Sequence, residues 1–157
     1  MGARAEQLAT KFEQSCRDLT TAVEGLSDTD WKKVTAAEKW PVAVVAHHVA
    51  GGHAGISGLI ERVAKSQPMP GLTMDMIHAG NAKHAQEFAN VSKADTLALH
   101  KEDSGKAATM VRGLSDAELD RSAEVLGRSM TAAQAIESIL INHVHEHLGS
   151  IEAATGK

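Results

Sequence analysis

The chain of 157 residues carries 16 basic and 20 acidic side chains, a formal charge of -4, with neither sign gathered into a block able to track phosphates or anionic lipid; nucleic acid is thereby excluded as a partner. Hydrophobic residues make up 43% of the sequence but aromatics only 3%, with no Tyr, so the core must be assembled from Ala, Val, Leu, Ile and Met, a palette that favours helices. The length suits one domain spanning residues 1–157; with no apolar run near the roughly 20 residues of a membrane span, and no apolar signal core in MGARAEQLATKFEQ, a cytoplasmic protein without a membrane partner is expected.

Leu8, Phe12, Leu19 and Val23 recur at helical spacing and predict a first helix from Ala3 to Glu24, closed by Gly25. Cys16, the only cysteine, excludes an internal disulfide or a thiolate cluster; lying near that apolar face, it reads as a small buried hydrophobe rather than a reactive thiol. GLSDTDW, from Gly25 to Trp31, reads as an Asp/Ser-rich turn or one short helical turn. A second helix starts at Pro41, whose fixed φ and missing N–H suit a first-turn position, and runs through Val44, Val45, His48, Leu59 and Val63 until QPMPG at Gln67–Gly71 breaks it. A third starts near Thr73 and passes Phe88, with Met74, Ile77, Ala85 and Phe88 on one side. Ser92 with Asp95 opens a fourth that ends at Arg112–Gly113, after which GLSDAELDR echoes GLSDTDWKK. The T-x-x-Q box of Thr131 and Gln134 opens the last helix, which reaches Ala154 before Gly156, and no segment reads as a strand. Amphipathic helices joined by short linkers predict an all-α antiparallel bundle, a scaffold whose cofactor sites are built by side chains on facing helices.

Nine histidines are a high count, and three of them fall within residues 143–147. At about 100° per residue, His143 and His147 stand about 40° apart, the i, i+4 spacing at which two imidazoles share a metal. Ile136, Leu140, Ile151 and Ala154 make that face the apolar stripe. A buried imidazole with unmet nitrogens costs on the order of 1–3 kcal/mol, and a shared ion meets both. In the second helix His48 shares its side with Val44, Val45, Gly52, Ile56 and Leu59, which selects it over His47 as third ligand. His47, His53 and His145 read as peripheral, with His145 facing solvent. Gly52 and Gly55 follow His48 by one and two turns, each at a cost of about 1 kcal/mol relative to Ala; they leave either space for substrate beside the metal or close helix packing. Three neutral imidazoles leave coordination positions open, the mark of a catalytic rather than a structural site, and suit Zn2+, Ni2+ or Fe2+ alike.

These residues resemble the DinB/YfiT-like four-helix bundles, a family that includes mycothiol- and bacillithiol-dependent S-transferases and the metal domain of mycothiol-dependent maleylpyruvate isomerase. The likeness rests on a Trp ahead of the first His ligand, Trp40 and His48 in WPVAVVAHHVAG, and on HVHEHLG at His143–Gly149, similar to the family's H-x-x-x-H followed by one residue and Gly. MDMIHAGNAKHAQEF is similar to the segment that carries an Asn on the third helix of actinobacterial-type members, here Asn81. Asn81 shares a face with Met74, Ile77, Ala85 and Phe88, and is either a contact to substrate or to a metal ligand, or a helix-packing hydrogen bond. In the isomerase branch one ligand resembles a Glu; His143 places this chain nearer the three-His members. The resemblance implies a four-helix bundle with an additional short helix, a divalent metal (Zn2+, Ni2+ or Fe2+) on His48, His143 and His147, a low-molecular-weight thiol such as mycothiol or bacillithiol, and a homodimer.

Three functional classes stay open at this point. In the first, the metal holds a thiol as thiolate and presents it to a small electrophilic substrate, in S-transfer or isomerisation. In the second, hydroxide on the metal attacks a small substrate, making the protein a hydrolase. In the third, the bundle binds a small molecule or metal without turnover. Glu146, about 60° from His143 on the helix, is the candidate general base or ligand-supporting carboxylate, set against a solvated surface Glu.

Overall fold

The computed structural model describes residues 2–67 and 71–157. Helix α1 (Ala3–Glu24) buries Ala5, Leu8, Phe12, Cys16, Leu19 and Val23 at helical spacing and stops at Gly25. The two LSD echoes resolve into one device. The Ser27 and Ser115 hydroxyls each accept the backbone N–H of the residue three positions on, while the Asp30 and Glu118 carboxylates accept the serine N–H. These capping boxes start the short helices α2 (Asp28–Lys32) and α6 (Asp116–Asp120).

Helix α3 (Val42–Ala64) follows Pro41 and buries Val42 to His47, Val49, Ala50, His53, Ile60 and Val63. The break expected over Gln67–Gly71 lies in part outside the described residues, at 68–70. Helix α4 (Met74–Glu87), capped by the Thr73 hydroxyl, has no fully buried residue, and its Met74 and Met76 are 49% and 57% exposed. Helix α5 (Lys93–Arg112) starts on the Ser92 cap, whose hydroxyl accepts the Asp95 N–H.

A hairpin then corrects the expectation of no strand: β1 (Ser122–Val125) pairs antiparallel with β2 (Arg128–Thr131). Its turn holds Leu126 and Gly127 at φ 49° and 80°. Strands this short show too little alternation to be read, and Leu126 occupies a left-handed position where Asn or Gly normally announces a two-residue turn. The last helix is built in three parts, α7 (Ala132–Ala135) on its Thr131/Gln134 capping box, a π-helical turn (Ile136–Ile141), and α8 (Asn142–Thr155), which ends on Gly156 at φ 72°.

Side-chain pairs across the bundle fix its directions. Lys11 meets Glu137, Ser15 meets His145, and Lys157 meets the Gly25 carbonyl, so α1 and α8 run the same way. Arg112 meets Glu6 and Glu13 while His100 meets Cys16, so α5 runs against α1. His53 with His100 and Ala64 with Arg121 set α3 parallel to α5, whereas Glu38 with His147 and His48 with His143 set it against α8. The result is a four-helix bundle, two helices up and two down, in which α1, α5, α3 and α8 are neighbours in that order around the core and the antiparallel pairs are α1 with α5 and α3 with α8. Parallel neighbours demand a return crossing. Helix α4 lies on that crossing, outside the bundle and against α3.

Phe12, Leu19, Val45, Val49, Ile60, Val111, Leu140 and Ile151 fill the centre, each worth roughly 1.5–3 kcal/mol of burial. No helix among the described residues is long and apolar enough to cross a membrane.

Candidate metal centre

The π-helical turn ends one residue before Asn142, so the helix phase changes immediately ahead of the histidines. Upstream, the buried line passes through Ile136 and Leu140; downstream it passes through Val144 and Ile151. The stripe predicted through His143 is thus displaced by one residue, and His143 and His147 stand half-buried beside it, facing α3.

There they meet His48. Its Nε2 is 3.0 Å from His143 Nε2, and one donor atom from each of the three rings lies within 4.8 Å of the others. Two nitrogens bound to one tetrahedral ion at 2.0–2.1 Å stand about 3.3 Å apart, close to this spacing. Gly52 makes the approach feasible: a Cβ there would sit 3.0 Å from His143 Cε1. Gly52 is therefore a packing glycine that makes room for the His143 ring, while Gly55 is exposed and a Cβ on it would meet nothing within 4 Å. The Trp40 indole packs edge-on against His48 with centroids 5.4 Å apart, which gives the Trp-to-His spacing a physical cause.

His147 Nδ1 lies 2.8 Å from Glu38 Oε1. A carboxylate only accepts, so Nδ1 carries the hydrogen, and Nε2 is the nitrogen left to bind an ion. Glu38 sits in a tight loop closed by the Lys39 N–H on the Thr35 carbonyl and the Thr35 N–H on the Trp40 carbonyl, with Lys39 at φ 61°. Burial pushes the Glu38 carboxyl up, but hydrogen bonds from Thr35, Ser150 and His147 outweigh it and hold the group below its ordinary value. Sequence reasoning missed Glu38 because a loop residue has no periodicity. Glu146, expected near the rim, lies on the exposed side of α8.

Two histidines read as peripheral are not. His47 is only 7% exposed; its Nδ1 is 2.7 Å from His84 Nε2, and its ring stacks on Phe88 at 4.0 Å. His53 is fully buried, its Nε2 3.0 Å from His100 Nδ1. Helical phase put both off the His48 side, but α4 and α5 cover those sides as well. His145 is exposed, as expected, with Nε2 2.7 Å from the Ser15 hydroxyl. His84, which the sequence reading also missed, comes from α4 and turns its ring edge to His48 at 5.7 Å. The signal was present: His84 shares the face of half-buried Asn81 and Phe88.

Burial, and then the neighbouring imidazoles His147 and His84, push His48 down to about 4. Burial, then His147 and His48, push His143 down to about 3. Both rings are consequently neutral around pH 7, the state in which imidazole binds a metal. These two neutral imidazoles, with a third backed by a carboxylate, fit a borderline divalent ion.

A family model described as the mycothiol maleylpyruvate isomerase N-terminal domain matches residues 12–149. Among solved structures, YfiT from Bacillus subtilis, described as a probable metal-dependent hydrolase with an unusual four-helix bundle topology, superposes with a TM-score of 0.80 at 18% identity, over 99% of this chain and 89% of that one. The mycothiol-dependent maleylpyruvate isomerase, and a histidine-to-alanine mutant of it, superpose with a TM-score of 0.75 at 12% identity over 96% of this chain, which spans 63% of that protein. Curated protein sequences give no significant match. At such identities the structural likeness speaks for the fold, and the family model, covering most of the sequence, speaks for kinship. The chain belongs to the mycothiol maleylpyruvate isomerase N-terminal domain family, within the DinB/YfiT-like four-helix bundles.

Proposed function

We propose that His48, His143 and His147 hold one divalent metal ion, and that the protein uses it to present a low-molecular-weight thiol of the mycothiol or bacillithiol class to a small electrophile, in S-transfer or isomerisation. The observation that carries this reading is the His147–Glu38 hydrogen bond beside the His48–His143 contact, which leaves three imidazoles facing one point with an anion behind one of them. When bound, such an ion supplies Lewis acidity, which lowers the pKa of a coordinated thiol or water.

The chain's own residues do the rest. Glu38 holds the His147 tautomer, Gly52 admits the His143 ring, and Trp40 shields His48 from water. His84 is held down by burial and by His47, so it is neutral near pH 7 and placed to take the proton that an activated thiol releases. Asn81, one turn away on α4, is assigned to substrate contact. The chain's one cysteine does not compete as nucleophile: burial, with Glu13 adding to it, pushes the Cys16 thiol up to about 12.

Supplying metal-loaded protein with mycothiol, bacillithiol or glutathione and monochlorobimane tests the reading. Conjugation that depends on one thiol and stops in His48→Ala is expected; no conjugation with any thiol overturns it. The metal assignment is tested separately by elemental analysis of protein purified without a nickel column or poly-His tag. Trace metal only, with no recovery on reconstitution, would sink it.

A second reading, a hydrolase activating water in place of a thiol, is favoured by the likeness to YfiT over 89% of that chain against 63% of the isomerase. Hydrolysis of activated esters or amides that is lost in His48→Ala would select it. Stoichiometric ligand binding with neither activity would leave a non-catalytic binder.

A further inference from the structure

The core contains a second set of donors that the three-histidine site does not use. Cys16 on α1, His53 on α3 and His100 on α5 each place one donor atom within 4.8 Å of the other two. They are 6%, 0% and 3% exposed, in a largely aliphatic core where Phe12 packs edge-on against His53.

Hydrogen bonding fixes their tautomers from one end. The Cys16 carbonyl only accepts, so His100 Nε2, 3.1 Å away, donates to it, and His100 Nδ1 is left with a lone pair. His53 Nε2, 3.0 Å from that lone pair, must then be the donor. This leaves His53 Nδ1 as a bare, buried nitrogen with no hydrogen-bond partner. That nitrogen is free to take the ring proton, which makes Nε2 available as a lone pair to the cluster.

His100 already has the arrangement of a ligating imidazole, with a lone pair into the cluster and its other N–H on a backbone carbonyl. The 3.0 Å between the two nitrogens needs to widen by only a few tenths of an ångström to meet the roughly 3.3 Å of a tetrahedral zinc site. An entry path exists too. A groove of about 610 Å³ between α1 and α5 has Cys16 and His100 in its wall.

We infer that Cys16, His53 and His100 form a second metal site, in which two imidazole nitrogens and one thiolate sulfur hold a borderline divalent ion of the Zn2+ class, with its remaining position open to the α1/α5 groove. Binding releases the Cys16 thiol proton to solvent and moves the His53 proton from Nε2 to the bare Nδ1, while His100 keeps the tautomer it has. Because burial holds the ion-free thiol protonated, affinity rises with pH.

The two sites are separable because only this one contains sulfur. Metal-stripped full-length protein in thiol-free buffer, titrated with Co2+, is expected to bind two equivalents, one of them with an intense near-ultraviolet thiolate-to-metal charge-transfer band. Cys16→Ser should lose that band and keep the other equivalent; His48→Ala should keep the band and lose the other equivalent. Absence of the band in the unmutated protein, or its persistence in Cys16→Ser, overturns the inference. Should Cys16→Ser fail to fold, X-ray absorption at the cobalt edge of the unmutated protein decides: a sulfur scatterer supports the site, and nitrogen and oxygen alone refute it.

Discussion

Glu38 acts on the candidate centre through a single hydrogen bond, and its removal separates orientation from ligation. Glu38→Gln keeps the side chain's size but not its charge. Metal affinity should fall about 10–100-fold with the far-ultraviolet spectrum unchanged, as measured by competition with a chromophoric chelator. The two glycines of α3 offer a matched contrast. Gly52→Ala adds helix propensity of about 1 kcal/mol but sets a methyl against His143 Cε1; the metal-free protein should melt near the parent temperature while metal affinity drops about tenfold or more. Gly55→Ala meets nothing, so it should raise the melting temperature and leave affinity alone. At this scale helical phase was enough to single out His48, His143 and His147, which the fold does bring within reach of one another, although the π-helical turn sets the last two beside the apolar line. It could not find Glu38, whose position depends on a loop with Lys39 in a left-handed conformation, nor the pairing of His47 with His84, which depends on where α4 crosses.

Among elements, the π-helical turn bears most directly on the site. Deleting exposed Ser138 removes the extra residue and rotates α8 by about 100° relative to α7. The equivalent without the sulfur charge-transfer band, that of the three-histidine site, should be lost while circular dichroism still reports a helical protein; its retention would show that the turn does not set the register of His143 and His147. Nothing in IESILI announces such a turn, since it shifts hydrogen bonds without a change of composition. Caps, by contrast, were legible: Ser92 and Thr131 start helices where the sequence places them, and the LSD segments, open between a turn and one short helical turn, each begin a short helix, because each cap satisfies its N–H groups within a few residues. The hairpin was invisible for the opposite reason. Its stability comes from packing against α3, and neither Leu126 nor its short strands carry a local signal.

For the whole molecule, the buried histidines predict how the fold responds to acid. Burial pushes His53 and His143 down to about 3 and His48 to about 4, and also lowers His47, His84 and His100. An unfolded chain binds those protons near pH 6.5, the folded one only at lower pH. Stability is therefore full above about pH 6.5 and falls as the pH drops toward the folded-state values, by about 1.4 kcal/mol per pH unit for each such histidine. Urea midpoints of metal-free protein should decline from about pH 6.5 downward, well above the carboxylate range. A flat profile to about pH 5 would mean that these rings are not buried as neutral species.

The order of helices around the bundle also governs how it is reached. Ser15 meets His145 across 130 residues and His53 meets His100 across 47, and apart from those of α3 on α5 the bundle-helix contacts are with partners other than the successor. Chain closure must precede them, and the topology predicts slower refolding than in an up-and-down bundle of equal length, whose helices pack on their immediate successors. The α8 contacts with α1 close the longest loop and should form last. Ile151→Val, a loss of about 0.5–1.5 kcal/mol, should thus speed unfolding in stopped-flow experiments and leave the folding rate nearly untouched.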